Sequence, residues 1–271
     1  MEIIIPETHK REIRPVFVIK EAWAVCRKHL GKMCAIYLIF YLPVAALYLT
    51  PMAKKLQNQN LSLSAFLYIV LPVMILSAWG HISLLLGAQK AVDQQGYTIG
   101  QSIIRARVFF LKYLGIALIT TLFSMSLMLL GLMSVTGVSS LLLKVNKILA
   151  ISIALVVAIA FIGTIVYFIL RWSLAAVACV LENMQPIAAL KSSFSMIAGY
   201  LYPVALVYCL FAIIYTICLL FFMAAGGFVS AELYARNSNL AGIIFNIFIS
   251  SILAPLWAII TVMLYKKLKE A

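Results

Sequence analysis

The sequence predicts an all-α, polytopic membrane protein with six transmembrane helices joined by short cytoplasmic amphipathic connector helices. Three observations predict it: apolar excess, charges that punctuate long apolar runs, and lysine and arginine crowded into alternate segments. The chain is 65% apolar and only 11% charged, with a mean hydropathy of +1.10. Soluble domains are about 45–50% apolar and about 25% charged. A water-soluble fold of 271 residues could not hide that much apolar surface, so a second solvent, the lipid bilayer, is required.

A helix needs about 20 apolar residues to cross a hydrocarbon core of about 30 Å. Charged residues bound six such runs, at about 33–53, 65–88, 113–136, 148–170, 201–225 and 240–265, within a single integral membrane domain, 1–271. Unbroken apolar character excludes the alternating strands of an outer-membrane barrel. Pro43, Pro72, Pro203 and Pro255 fall inside four of the runs, where membrane helices tolerate them as kinks. The first 32 residues carry both signs of charge and the first apolar run opens at Met33, so no cleavable signal peptide is expected.

Orientation follows from the basic residues. The odd-numbered aqueous segments hold sixteen of them, from Lys10 to Lys32, from Lys90 to Lys112, at Arg171 and Lys191, and from Lys266 to Lys269. The even-numbered ones hold five, Lys54, Lys55, Lys144, Lys147 and Arg236. The positive-inside rule then puts both termini in the cytoplasm. A formal net charge of +13 reads as topology plus attraction to anionic headgroups, not as nucleic-acid binding. The partners expected are therefore the bilayer and its anionic headgroups. A separately encoded partner protein is also open.

An amphipathic stretch precedes three of the spans. Ile19, Trp23, Cys26 and Leu30 are spaced 4, 3, 4 and share one helical face; so do Ile99, Ile103, Ala106 and Phe110, and again Leu190, Phe194, Ile197 and Leu201,. Either one unit, an amphipathic helix and a two-span hairpin, occurs three times, or three ordinary connectors share a common spacing. Both readings predict basic helices lying in the inner interface.

The run from Ile148 to Leu181 contains a single charge, Arg171. As one helix it would be about 51 Å long at about 1.5 Å per residue, too long for the core. If the span covers 148–170, Arg171 and Trp172 mark its inner edge, where arginine snorkels and tryptophan favours the interface. If it slides to 160–181, Arg171 sits mid-bilayer at a cost of about 2.5–3.5 kcal/mol. The first placement costs less. It leaves Ser173–Leu181 to lie along the interface or to pack on a helix opening at Pro186, with Asn183 as a candidate N-cap. Glu182 is then the acidic group near Arg171 and Lys191. It either pairs with one of these cations to fix the turn, or shares with them a headgroup or substrate contact.

The run Arg171-Trp172-Ser173-Leu174-Ala175, then Val180-Leu181-Glu182, then Pro186 to Phe194 and Gly199 resembles bacterial six-span inner-membrane proteins similar to the membrane domain of glycerophosphoryl diester phosphodiesterases. The ending Tyr265 to Lys269 is similar to theirs too. The resemblance implies six helices and an inner-membrane location, and little about activity. Lys191 departs from it, since family members place an arginine after the Ala-Leu pair. The chain carries no soluble phosphodiesterase domain, so that catalytic activity is not expected of it.

Chemistry is further narrowed by what is missing. Asp93 is the only aspartate, which argues against transferases that use clustered aspartates with Mg²⁺ and against aspartyl proteolysis. H-E-x-x-H, G-x-S-x-G and P-loop motifs are absent. His9, His29 and His81 are far apart, and no metal or other cofactor is expected. Cys26, Cys34, Cys179, Cys209 and Cys218 show no ligand spacing and read as small apolar residues. His81 lies inside the second run. It is either a neutral imidazole bonded to a neighbouring helix, with Gly80 allowing close approach, or a functional intramembrane group. Asn246 reads as interhelical glue. The expected function is non-enzymatic: a structural or envelope-maintenance component contacting anionic lipid. The alternative is a transporter or permease component for a small amphiphile or lipid.

Overall fold

The computed structural model describes residues 13–48, 63–142, 147–229 and 231–271, with side chains described over 13–47, 70–137, 140, 147–221 and 246–271. The ends expected at 49–53, and Lys10, Arg11, Lys54, Lys55, Lys144 and the Arg236 side chain, lie outside that description. Among the described residues eight helices are seen: α1 (Pro15–Tyr48), α2 (Leu63–Val92), α3 (Ile99–Leu142), α4 (Lys147–Trp172), α5 (Ala175–Glu182), α6 (Pro186–Ile197), α7 (Leu201–Val229) and α8 (Ala231–Lys269). Among the described residues six helical runs are long and apolar enough to cross a membrane. The chain is thus an all-α, multi-pass membrane protein. In hydrocarbon every backbone N–H and C=O must be satisfied within the segment, and a helix does this alone.

The amphipathic stretches are not all separate helices. Those at 19–30 and 99–110 run without a break into the following span, inside α1 and α3. Nothing between Lys20 and Met33 forces a stop, since Gly31 alone costs a helix only about 1 kcal/mol. The third stretch is divided: Leu190, Phe194 and Ile197 lie in α6, which ends at Ile197, and Leu201 opens α7. Pro43, Pro72 and Pro255 lie inside α1, α2 and α8. Pro203 falls instead in the first turn of α7, where the N–H it lacks would have no partner anyway.

Contacts divide the chain into two compact units, Met1–Arg107 with Tyr202–Ala271, and Val108–Leu201. In the first, α1, α2 and α8 pack on one another. Their shared core includes Cys26, Met33, Ile36, Ile82, Leu85, Ile259 and Tyr265, all buried. Close approach depends on Gly80, where a Cβ would stand 2.9 Å from the Phe40 Cβ. Three elements meet at one end of this unit: Lys266 pairs with Asp93, and Lys267 with Glu21 at 2.5 Å. The turn between α2 and α3 is built locally. Gln94 takes a left-handed φ of 55°, with Gln94 N–H donating to Ala91 O and Gln95 N–H to Lys90 O, the Schellman pattern. Thr98 and Gln101 then cap α3 reciprocally,. Between them Tyr97 is buried, and burial pushes its phenol up to about 12. All five cysteines are free thiols.

In the second unit α5 and α6 pack together, and α4 packs on α6. Ala175, Val177, Ala178, Cys179 and Val180 are buried on one side of that contact and Ala189, Leu190 and Ile197 on the other. The apolar stretch after Arg171 therefore packs against the Pro186 helix. In contrast Ala150 is the one buried residue of α4, and Ile148, Leu155, Val156, Ile162 and Ile169 are exposed. That surface is what hydrocarbon would cover.

Overpacking a close helix contact costs about 1–3 kcal/mol. Gly80→Val is expected to lower the thermal midpoint in detergent by several degrees. Gly163→Ala is expected to leave it unchanged or raise it, because no atom lies within 4 Å of a Cβ there. Midpoints followed by circular dichroism check both.

Candidate functional site

The second unit concentrates basic side chains around the break after α4. Helix α4 stops at Trp172, and its last carbonyls find other partners. Ser173 Oγ donates to Leu170 O at 2.7 Å, and Ser193 Oγ reaches from α6 to donate to Arg171 O at 2.7 Å. Helix ends leave such carbonyls without intrahelical donors. Two hydroxyls thus replace the continuation of the helix, and the turn that follows is short enough for α5 to fold onto α6.

Arg171 sits at that end, half-buried. Its Nη1 donates to Phe194 O at 2.8 Å, and its Nε and Nη2 donate to Tyr167 Oη at 3.1 and 2.8 Å. The guanidinium carbon lies 4.5 Å from the Phe194 ring centre and 5.1 Å from that of Tyr167. Both distances are within cation–π range. The ion pair with Glu182 weighed from the sequence is not among the hydrogen bonds of this guanidinium; neutral oxygens and ring faces hold it instead. A guanidinium has five N–H donors. Three are used here, which leaves one on each terminal nitrogen.

Asn183 is the C-cap of α5, not the N-cap of α6. It takes φ 55° and ψ 31°, in the left-handed region. Asparagine, like glycine, tolerates that conformation. The α6 N-cap is Gln185, without a side-chain bond, and Pro186 opens the helix. Lys112 docks on Asn183, donating to its Oδ1 at 2.7 Å and its O at 3.1 Å. Contact between α3 and the α6 start is tight, since a Cβ on Gly115 would stand 2.9 Å from Pro186 Cγ. Lys191 is exposed on α6, and Glu182 is half-buried at the end of α5.

Arg171, Glu182 and Lys191 thus belong to one unit, on consecutive elements. His81 belongs to the other, half-buried on α2 beside the Gly80–Phe40 contact. Asn246 is exposed, and its Oδ1 accepts from Ser250 Oγ, one turn along the same helix, at 3.2 Å. Tyr167, Ser193 and Lys112 were missed as parts of the site. Tyr167 was legible, because it precedes Arg171 by four residues and so shares its helical face. Ser193 and Lys112 are brought in by the fold of the unit and leave no local signal.

Two grooves complete the picture. One, of about 480 Å³, runs between α3 and α4 past Thr121, Ser124, Met128, Ile165 and Trp172. The other, of about 450 Å³, lies between α7 and α8 against Tyr208, Phe211, Ser250 and Trp257. No protein-family model, curated protein or solved structure matches the chain.

A non-glycine L-residue forced into the left-handed region costs about 1–2 kcal/mol. Asn183→Ala is therefore expected to destabilise the protein by about that amount. Asn183→Gly should keep the turn and lose only the Lys112 contact to Oδ1, so its loss should be the smaller. Thermal midpoints of the two variants, compared side by side, check this order.

Proposed function

We propose that the chain is a non-enzymatic protein of the bacterial cytoplasmic membrane, with both termini inside, whose cationic inner face binds anionic lipid headgroups and serves a structural or envelope-maintenance role. A contrast between two pairs of cations carries this reading. In the first unit Lys266 and Lys267 are matched by the carboxylates of Asp93 and Glu21. In the second, Lys112 and Arg171 rest on neutral oxygens, those of Asn183, Tyr167 and Phe194. Neutral acceptors fix the position of a cation without cancelling its charge. The charge then remains to attract an anion outside the protein. Arg171 adds two N–H groups on adjacent nitrogens, the fork that suits phosphate oxygens.

The orientation supports the same reading. Sixteen of the 21 basic residues fall in the segments assigned to the inside. That leaflet surface is negative and attracts each nearby lysine or arginine by about 1 kcal/mol. The resemblance of the segment from Arg171 to Gly199 to bacterial six-span inner-membrane proteins favours the same location. No catalytic constellation is needed to account for any of the residues at the turn.

Removing two uncompensated cations should cost about 2 kcal/mol of preference for anionic lipid, or about 30-fold. Lys112→Gln with Lys191→Gln is expected to reduce the enrichment of phosphatidylglycerol over phosphatidylcholine around the reconstituted protein at low salt. Lys266→Gln with Lys267→Gln should reduce it much less, since those lysines are already neutralised. Equal effects from the two pairs, or none from either, would contradict the proposal.

A further inference from the structure

The groove between α3 and α4 is not a uniform apolar cleft. The two helices run antiparallel, and their register is set by Phe123, whose ring packs edge-on to Phe168 and to Trp172, at 4.8 Å in each case. Thr120 and Thr121 are therefore level with Trp172 and Ser173, while Met125 and Met128 are level with Ile165. Thr120 and Met128 are eight residues apart, about 12 Å along the helix. One end of the groove is lined by hydroxyls and an indole, the other by thioethers and an aliphatic chain.

Two of these hydroxyls differ from the other described hydroxyls that α3 and α4 contribute to this unit. In α3 the hydroxyls of Thr120, Ser126, Ser134, Thr136 and Ser140 each donate to a carbonyl three or four residues back. Ser152 and Thr164 do the same in α4. That is the usual way to keep a hydroxyl in hydrocarbon. Among the described residues, the hydroxyls of Thr121 and Ser124 have no such bond. Both line the groove, and they stand three residues apart on the face that continues to Met125 and Met128. A donor without a protein partner at membrane depth calls for an acceptor from outside.

We propose that this groove holds one phospholipid, with ester carbonyl oxygens accepting hydrogen bonds from Thr121 and Ser124. Its acyl chain lies along Met125, Met128 and Ile165. Its headgroup emerges at the Trp172 end of α4, where the neighbouring residue is Arg171. Three features select this occupant. The carbonyl oxygens are acceptors without protons, which matches two hydroxyl donors. Indole side chains favour the level of the interface, where ester groups lie at the border of the hydrocarbon. A cation at the same helix end matches an anionic phosphate. The headgroup half of this assignment rests on the lipid-contact reading above, and the ester half does not.

The test separates the two. Purified protein in nanodiscs is exposed to ester-linked phosphatidylglycerol, to its ether-linked counterpart, which has the same headgroup and chain length but no carbonyl, and to ester-linked phosphatidylcholine. Retained lipid is counted by native mass spectrometry after gentle release. The expected result is preferential retention of the ester lipid, about tenfold, and loss of that preference in Thr121→Val with Ser124→Ala. Both replacements keep the side-chain size on a lipid-facing surface. Equal retention of ester and ether lipid by the native protein would overturn the assignment, whether or not the variant folds. If ester preference persists while phosphatidylglycerol and phosphatidylcholine are retained alike, the groove stands and the headgroup reading fails. If anionic preference persists without ester preference, the headgroup reading stands and the groove fails.

Discussion

A full charge in hydrocarbon is the constraint on which the rest of this structure depends. Carrying a lysine or arginine to the centre of a bilayer costs about 2.5–3.5 kcal/mol even where the surroundings adapt. A chain with 21 basic and eight acidic residues must therefore confine its charge to the ends of its helices. There each cation has three possible environments: a carboxylate, neutral protein oxygens, or a lipid phosphate. In the first unit Lys266 and Lys267 use carboxylates, and so tie α1, the α2–α3 turn and α8 together at one end, while Lys32 donates to Tyr97 O. The second uses neutral oxygens around Arg171 and Lys112, which positions the charge and leaves it available.

The break after α4 follows from the same constraint. Continued as one helix, the run to Leu181 would overshoot the hydrocarbon core or drag Arg171 into it. Ending at Trp172 avoids both, but strands the last carbonyls of α4 and an apolar octapeptide. Ser173 and Ser193 bond the carbonyls. The octapeptide becomes α5 and buries its apolar side against α6. Asn183 then turns the chain in a conformation that few residues tolerate,. Packing, capping and electrostatics thus agree at one turn, and this agreement gives the turn a defined shape at a membrane end.

Much of the architecture was legible because hydrocarbon imposes a crude and strong code. Long apolar runs between charges identify spanning helices, and α7 opens at Leu201, where the fifth run was placed. For 173–181 the sequence left two outcomes open, the interface or the Pro186 helix, and the packing of α5 on α6 is the second. What was not legible turned on atoms rather than averages. Asparagine is favoured both at helix N-caps and in left-handed C-caps, so its type alone did not decide which helix Asn183 serves. A partner for Arg171 was sought among acids, while a phenol one turn back and a main-chain carbonyl took its donors. Hydropathy averaged over a span conceals two hydroxyls such as Thr121 and Ser124. The stretches 19–30 and 99–110 were read as separate connectors because charge ends the apolar run there, yet charge alone does not end a helix.

The central proposal is that the helix ends richest in lysine and arginine face the cytoplasm, with the apolar helices between them crossing the bilayer. The most direct measurement is labelling of single cysteines, placed at position 191 or 269 in a protein otherwise free of cysteine, with a membrane-impermeant maleimide. The account predicts labelling at both positions in inverted membrane vesicles and none in intact cells. Labelling of either position from outside intact cells would contradict it, and with it the source of the anionic lipid assigned to Arg171 and Lys112.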